Sequence, residues 1–262
     1  MQITLPRYYA RRIWRAIIEF GLIERGDRIL VGFSGGKDSL FLLYALKALQ
    51  AKSPFPFTIG AVHVDLGFAK PSEKPRLFDF CNDIDIPLFW EETAVAKTAF
   101  QEGKNPCATC AYFRRAVVNK TAVEEGYNIV ALAHHHDDAV ETLLMSQLYS
   151  GQIQTLLPKT ELDQSRLTVV RPLVYLRENK IREFVEKLPW QPMVNPCPVQ
   201  GKTHRWKVKK LLEELTKENP GVYNNIAACL RHNPNTILWP MIPGRQELQE
   251  MHIRLMGPSE VD

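Results

Sequence analysis

The feature that most constrains this chain is a short glycine-containing turn, Ser34 to Ser39. Residues Ile29 to Phe33 before it have the composition of a buried strand, and residues Leu40 to Leu49 after it are typical of a helix. Glycines let a backbone approach a ligand closely, and the N–H groups at a helix start attract an anion. This order of strand, turn and helix therefore predicts an α/β sheet with an anion site.

The side chains of the turn suit a nucleotide phosphate. Ser34 and Ser39 can donate hydrogen bonds to phosphate oxygens, and Lys37 supplies a positive charge. Asp38 is a carboxylate of the kind that binds a Mg2+ ion bridging two phosphates. The spacing matches neither the Walker loop nor the glycine pattern of dinucleotide-binding proteins. The alternative is a glycine-rich turn that binds no ligand.

The string Ser-Gly-Gly-Lys-Asp-Ser resembles the signature of the PP-loop ATP pyrophosphatase superfamily. This resemblance implies that ATP is cleaved between its α- and β-phosphates and that AMP is placed on an oxygen of the substrate. It also implies the HUP-like fold of the adenine nucleotide α-hydrolases, an open parallel sheet with helices on both faces. The residues expected to contact ATP here are Phe33, Ser34, Gly35, Gly36, Lys37, Asp38 and Ser39.

Two further apolar runs end in polar side chains. Residues Thr58 to Leu66 are typical of a buried strand, and residues Asn128 to Ala133 form another that leads into three histidines and two aspartates. Ligands of open parallel sheets bind beyond the carboxyl ends of the strands, so we expect the adenine beside the first and the phosphates beside the second. A separate histidine-ligated metal is the alternative for the second cluster. The residues expected to contact ATP there are His63, Val64, Ala133 and Asp138.

Short apolar runs at Ile86 to Trp90 and Thr168 to Leu173 alternate with helix-forming stretches, as in a parallel α/β sheet. We expect an N-terminal helical segment over residues 1–25 and a PP-loop ATP pyrophosphatase domain over 26–198. A basic helical segment and tail are expected over 199–262.

The composition is that of an ordinary globular protein. A chain of 262 residues, 45% of them hydrophobic, can bury a full α/β core. No apolar run reaches about 18 residues, so no membrane span is expected. Residues Met1 to Arg12 lack the apolar centre of a signal peptide, and we therefore expect a cytoplasmic protein.

Two basic stretches could meet a polyanion. The predicted helix from Arg7 to Gly21 carries Arg7, Arg11, Arg12 and Arg15 on one face. Residues 201–214 interleave lysines and arginines with Trp206, a pattern that suits phosphates and a stacked base. In both cases the alternative is a solvated charged helix face. The net charge of +4 permits a nucleic-acid partner without arguing for one.

The five cysteines fall into two groups. Cys81 and Cys229 lie in apolar, helix-like runs and are expected in the core. Cys107 and Cys110 form a CxxC placed directly before a predicted helix, Tyr112 to Glu125, where the helix dipole and nearby arginines favour thiolates. Cys197 lies between two prolines that would fix its position. Cys107, Cys110 and Cys197 are the expected metal ligands, of zinc or of an iron–sulfur cluster.

Taken together, the motifs resemble the tRNA 2-thiocytidine synthetase group of the PP-loop superfamily. The motifs that carry this resemblance are Gly26 to Leu30, Ser34 to Ser39, Cys107 to Cys110 with Arg114-Arg115, Ala133 to Asp138, Tyr149 to Gly151, Val170 to Leu173 and Cys197-Pro198. The resemblance implies a [4Fe-4S] cluster on the three cysteines, ATP with Mg2+, and insertion of sulfur at C2 of a tRNA pyrimidine. It also implies a tRNA substrate, a sulfur donor (a cysteine desulfurase or free sulfide) and a homodimer.

The same resemblance suggests a mechanism and catalytic residues. The C2 oxygen of the base would attack the α-phosphorus of ATP, and sulfide from the cluster would then displace AMP. Asp38 and Asp138 would hold Mg2+, and Arg114 would stabilise phosphate charge where thiouridine-making relatives carry a lysine. Ala133 and Ser150 stand where the family usually has glycine. No zinc-type CxxC pairs occur near the two ends of the sequence, which favours cytidine over uridine as the base.

Three other functions stay open at this point. The first is a cluster-free, ATP-dependent ligase or amidating enzyme of the same superfamily, which would not need the three cysteines. The second is a zinc-stabilised nucleotide- or RNA-binding protein, for which the intact loop with Asp38 and Asp138 would be unnecessary. The third is thiolation of a small molecule in place of tRNA.

Overall fold

A computed structural model describes residues 3–67, 73–95, 106–163, 166–193, 201, 203–231 and 244–256. Over these residues the centre of the molecule is a six-stranded sheet in the order β3-β2-β1-β4-β6-β5. Its strands are β1 (Arg28–Gly32), β2 (Thr58–Asp65), β3 (Leu88–Glu92), β4 (Ile129–Ala131), β5 (Lys159–Leu162) and β6 (Leu167–Val170).

Five of the strands run parallel, which confirms the predicted parallel sheet. β1 pairs with β2 and β4, β2 pairs with β3, and β4 pairs with β6, all in parallel. β5 pairs with β6 antiparallel and forms one edge. The sequence did not predict β5, because three of its four residues (Lys159, Thr160 and Glu161) are polar and give no apolar run.

Helices cover both faces of this sheet. Those described are α1 (Arg7–Phe20), α2 (Lys37–Gln50), α3 (Glu73–Asp83), α4 (Pro106–Glu124), α5 (His136–Ser150), α6 (Glu178–Val185), α7 (His204–Glu218), α8 (Gly221–Ala228) and α9 (Arg245–Met256). Ile29 and Val31 of β1 point into a core shared with α1, α2, α3 and α6. Leu30, between them, packs with residues of α4 on the opposite face. Successive side chains of a strand alternate between faces, which is why one strand serves both cores.

Cys81 and Cys229, the two cysteines that are not expected to bind a metal, differ in their burial. Cys81 of α3 is 1% exposed, as predicted for a core thiol. The prediction for Cys229 was wrong, because this residue is exposed. Helix α8 buries Tyr223 and ends at Ala228. Cys229 follows the end of the helix, so the part of the apolar run that contains it is not buried by the helix.

By compactness the chain divides into Met1–Leu230, which contains the sheet, and Arg231–Asp262, which contains α9. No helix among the described residues is both long and apolar enough to cross a membrane. The predicted three-part division at residues 25 and 198 stays a prediction.

Candidate active site

The turn Ser34 to Ser39 lies where β1 ends and α2 begins, as predicted. Gly35 has φ +78°, a left-handed conformation that favours glycine. A Cβ at this position would clash with the side-chain sulfur of Met193. The backbone N–H of Met193 donates to the Gly35 carbonyl oxygen (2.9 Å). The glycine therefore allows both the turn and the close approach of a distant segment.

The two serines of the turn lie side by side. The Ser34 and Ser39 hydroxyl oxygens are 3.1 Å apart, and Ser39 Oγ donates to the Gly36 carbonyl oxygen (3.0 Å). Ser39 is buried in the first turn of α2. The hydroxyls thus face the same small space at the N-terminus of a helix, where the positive end of the dipole favours an anion.

Lys37 is held by two carboxylates. Its Nζ lies 2.8 Å from Asp38 Oδ2 and 3.0 Å from Glu178 Oε1. Burial of the amine disfavours its charge, but the attraction of Asp38 and Glu178 outweighs burial and raises the pKa of Lys37. The amine is therefore fixed in its charged form.

One oxygen of Asp38 has no hydrogen-bond donor among the described residues. Its Oδ1 is buried and accepts no hydrogen bond from the described residues. Nearly all buried polar atoms in proteins are paired, so an unpaired carboxylate oxygen beside an anion site fits a bound cation. The assignment of Asp38 as a Mg2+ ligand stays a prediction.

The start of α5 forms the second half of the site. His135 is the N-cap: its Nδ1 accepts from the Asp138 backbone N–H (3.3 Å), and Asp138 Oδ2 accepts from the His135 backbone N–H (2.9 Å). His135 Nε2 lies 3.9 Å from Asp38 Oδ1. The two predicted clusters therefore meet at the carboxyl edge of the sheet.

Asp138 is fully engaged in this structure. Beyond the capping bond, its Oδ1 accepts from Arg205 Nη1 of α7 (2.8 Å), and Arg205 Nη2 donates to Thr142 Oγ1 (3.0 Å). The sequence predicted Asp138 as a magnesium ligand. Of the two predicted carboxylates, Asp38 is the one with an oxygen free for a cation.

The three consecutive histidines have separate partners. His134 Nδ1 accepts from Arg171 Nε (3.3 Å), and burial, together with Arg171 and Arg205, lowers the pKa of His134 to about 4 despite the nearby Asp138. His136 Nδ1 lies 2.6 Å from the Tyr223 hydroxyl. Within the described part of the chain, no group of three or more His, Cys, Asp or Glu is placed to hold a metal ion.

Glu178, at the start of α6, was missed by the sequence reading. Its Oε1 binds Lys37 and Arg182, and its Oε2 binds Lys209 of α7. Burial opposes the charge of Glu178, but Lys209 and Lys37 outweigh burial and lower the pKa to about 2. One carboxylate therefore joins the turn after β1 to two helices that follow much later in the chain.

Glu141 of α5 is a second residue that the sequence reading missed. It is 5% exposed, and burial and the charge of Asp138 raise its pKa to about 7, although Lys209 and Arg205 act in the opposite direction. No motif marks either glutamate, since both owe their environment to helix α7.

The cysteine pair lies inside a helix and not before one. Helix α4 begins at Pro106, so Cys107 and Cys110 occupy its first turns, and the predicted start at Tyr112 was wrong. Proline is well suited to a first helical position, which explains the earlier start. Cys107 is exposed and Cys110 is half-buried. Three residues apart on a helix, they lie on the same side.

The start of the helix also places the two cysteines at the carboxyl edge of the sheet, where the turn Ser34 to Ser39 lies. Helix α4 connects β3 to β4, which are both parallel to β1, so it begins at the edge where the strands end. Cys197 lies outside the described residues. Met193, the last described residue before it, is the one bonded to Gly35 of the turn.

The PP-loop domain family matches residues 9–194 of the sequence. This chain belongs to the PP-loop family. A tRNA-cytidine(32) 2-sulfurtransferase from Anaeromyxobacter sp. (strain K) is 39% identical over 235 residues, which cover 87% of this chain and 79% of the relative. One from Geobacter metallireducens is 35% identical over 227 residues, covering 83% and 86%. These identities confirm the predicted group of PP-loop proteins.

A solved PP-loop structure has the same fold. The U34-tRNA thiolase NcsA from Methanococcus maripaludis, with its [4Fe-4S] cluster, superposes with a TM-score of 0.72 at 22% identity, covering 92% of this chain and 84% of that chain. The predicted fold class is thereby confirmed.

His63 and Val64, the two residues predicted at the adenine, both lie in β2, and their role there stays a prediction. His63 is buried, its Nδ1 donates to the Phe33 carbonyl oxygen (2.8 Å), and its ring stacks on Trp90. Burial lowers the pKa of His63, to which the charge of Arg114 also contributes. The Val64 side chain is buried in the core on the α4 side. Ala133 is half-buried, and Arg114 is exposed on α4.

Proposed function

We propose that this protein is an ATP-dependent sulfurtransferase that replaces the C2 oxygen of a tRNA cytidine with sulfur. Thiolation at C2 of cytidine is the activity in the name of its relatives. The observation that carries the proposal is that two functional groups lie at the same edge of the sheet. These are the charged turn with Lys37 and Asp38, and the two cysteines on the first turns of α4.

The turn fits the triphosphate of ATP. The serine hydroxyls, the charged Lys37 amine and the amides at the start of α2 would bind phosphate oxygens, and the unpaired Asp38 Oδ1 would take the Mg2+. As the cytidine C2 oxygen attacks the α-phosphorus, the bond to pyrophosphate breaks and negative charge grows on the leaving oxygens. Fixed positive groups at that place stabilise the transition state more than the ground state.

The thiols fit one side of a [4Fe-4S] cluster. Cys107 and Cys110 would hold it together with Cys197, and a cluster with three protein ligands supplies an open iron that carries sulfide and acts as a Lewis acid. Arg114 keeps its charge at all working pH values and would stabilise phosphate charge. A cysteine desulfurase or free sulfide as sulfur donor, and a homodimer, are further parts of the proposal.

The test is a metal analysis joined to a thiolation assay. Protein purified without oxygen should contain about four irons and four sulfides per chain, and it should form 2-thiocytidine in tRNA only when ATP is present. Cys197→Ala should abolish thiolation and leave ATP binding intact, whereas Cys81→Ala, in the core, serves as the matched control. One zinc per chain without sulfide, or normal thiolation by Cys197→Ala, would overturn the three-cysteine assignment.

A further inference from the structure

Four arginines of α1 line one groove on the surface of the molecule. The groove has a volume of about 600 Å³ and is lined by Arg7, Tyr8, Arg11, Arg12, Arg15 and Tyr175. The opposite side of α1, with Tyr9, Ile13, Ala16 and Ile17, is buried in the core. One carboxylate, Glu19, pairs with an arginine of this set, at 3.2 Å from Arg15 Nε. The lining, here called the α1 groove, is therefore strongly positive.

Tyrosine rings hold two of these arginines in place. The Arg12 guanidinium lies 3.7 Å from the centre of the Tyr8 ring, and that of Arg15 lies 4.4 Å from the centre of the Tyr175 ring. The Tyr175 hydroxyl donates to Glu19 Oε2 (2.8 Å). A guanidinium stacked on a ring keeps its N–H donors in the plane of the group, where they can bind a phosphate with two bonds.

The other two arginines lack partners. Arg7 and Arg11 are exposed and form no ion pair or hydrogen bond through their side chains with any residue that the structure describes. Together with Arg15 they repeat every four residues, a spacing at which like charges on a helix repel each other. No acidic residue occurs in the first turn of α1 to offset them. An anion in the groove would relieve this repulsion.

The α1 groove lies close to the proposed active site. Tyr175 is followed by Leu176, whose carbonyl oxygen accepts from the backbone N–H of His136 at the start of α5 (2.9 Å). Three residues after Tyr175 comes Glu178, which binds Lys37. The chain can span at most about 11 Å over three residues. A long anion lying in the groove would therefore pass beside the turn.

We infer that the α1 groove binds the phosphodiester backbone of the tRNA substrate. The inference rests on the proposed function and adds a surface to it. Arginine suits phosphate because its planar fork makes paired hydrogen bonds, and each neutralised phosphate releases counterions. Arg7 and Arg11 contact successive phosphates, and the tyrosine-stacked Arg12 and Arg15 hold the strand on its way to the active site.

The test is a charge reversal, Arg7→Glu with Arg11→Glu, in the full chain. Its control is Arg25→Glu with Lys52→Glu, which makes the same change of charge at exposed positions near the opposite edge, where the strands begin. We expect the groove variant to bind an unmodified tRNA transcript at least about tenfold more weakly, with a salt dependence that is lower by about 1–2 in log–log slope. The control should stay within about twofold of wild type.

Kinetics separate binding from chemistry. The groove contacts parts of the tRNA remote from the reacting base, so KM for tRNA should rise while kcat and KM for ATP stay unchanged. Thermal unfolding checks the fold, and the milder Arg7→Gln with Arg11→Gln should weaken tRNA binding in the same direction if the double reversal proves unstable.

Failure of the groove assignment and failure of the proposed function give different experimental results. If wild type thiolates tRNA and the groove variant binds tRNA as the control does, the groove assignment is wrong and the function stands. If wild type fails to thiolate tRNA and the groove variant alone still loses tRNA binding, the groove stands and the function is wrong. If the groove binds an acidic protein instead of tRNA, both double variants will bind tRNA as wild type does. That result overturns the inference.

Discussion

At the scale of single residues, the site depends on a few buried charges. Lys37 lies between Asp38 and Glu178, and Glu178 in turn binds Lys209 and Arg182. A carboxylate surrounded by cations lowers their mutual repulsion. Its loss leaves several positive groups close together in a partly buried place, which costs far more than the loss of a surface ion pair.

We expect Glu178→Gln to destabilise the protein by about 1–3 kcal/mol and to lower thiolation at least tenfold, because Lys37 would lose its position. Glu183→Gln, which removes an exposed ion pair with Lys180, is the matched control and should leave the free energy of unfolding nearly unchanged. Urea unfolding at pH 7 gives both free energies. Equal costs for the two variants would contradict the role of Glu178.

The low pKa of Glu178 adds a pH dependence. Because its pKa in the fold, about 2, is below the ordinary value of 4.5, its ionised form stabilises the fold. This contribution is complete above pH 4.5 and is lost as the pH falls towards 2. Glu178→Gln should therefore flatten the acid side of the stability curve over that interval.

Glu141 gives the opposite dependence. Its pKa of about 7 lies above the ordinary 4.5, so the fold favours its protonated form and wild type loses stability as the pH rises from 4.5 through 7. Glu141→Gln cannot ionise, and we expect it to be more stable than wild type at pH 8 and similar at pH 5. Urea unfolding at both pH values checks this expectation. A stability difference between Glu141→Gln and wild type that is the same at pH 5 and pH 8 would contradict this expectation.

At the scale of elements, the turn between β1 and α2 is fixed by Gly35. We expect Gly35→Ala to cost about 1–3 kcal/mol, because alanine disfavours φ +78° and its Cβ would meet the Met193 sulfur. Gly36→Ala is the control, since Gly36 has φ −72° and its added Cβ would lie at an ordinary contact distance, 3.4 Å from Ser34 Oγ. Adding Met193→Ala to Gly35→Ala should restore part of the stability, since it removes the clash and leaves the backbone strain. If Met193→Ala restores no stability, the whole cost of Gly35→Ala comes from the unfavourable φ at position 35.

The elements also show which parts of the structure could be predicted. The apolar runs of β1, β2 and β4 and the polar motifs that follow them lie next to each other in the sequence, so local reasoning found both the sheet and the turn. β5 has no apolar pattern, and α4 begins earlier than expected because Pro106 suits the first position of a helix. The roles of Glu178, Glu141 and Arg205 could not be predicted, since each depends on α7 packing against the start of α5 or α6. No local pattern of residues records that packing.

At the scale of the whole molecule, chain direction places chemistry on one edge of the sheet. β1, β4 and β6 are parallel, so the turn, the His135 cap and the segment leading to Glu178 all follow carboxyl ends of strands. Helix α4 returns to the same edge and begins there with two thiols. In the basic segment around Trp206, Arg205 and Lys209 pair with carboxylates at this edge of the sheet. Trp206, in contrast, is 45% exposed. Contact of this segment with a polyanion stays a prediction.

The pairing of Lys37 with two carboxylates has a consequence for selectivity among anions. An incoming anion must compete with Asp38 and Glu178 for the amine, so a lone inorganic phosphate or sulfate gains little by entering. Under the proposed function, a nucleotide that arrives with its own Mg2+ would bring the counter-charge that frees the lysine, because the ion would engage the open oxygen of Asp38. Such a site would discriminate against small anions and keep its cation for a metal-bound triphosphate.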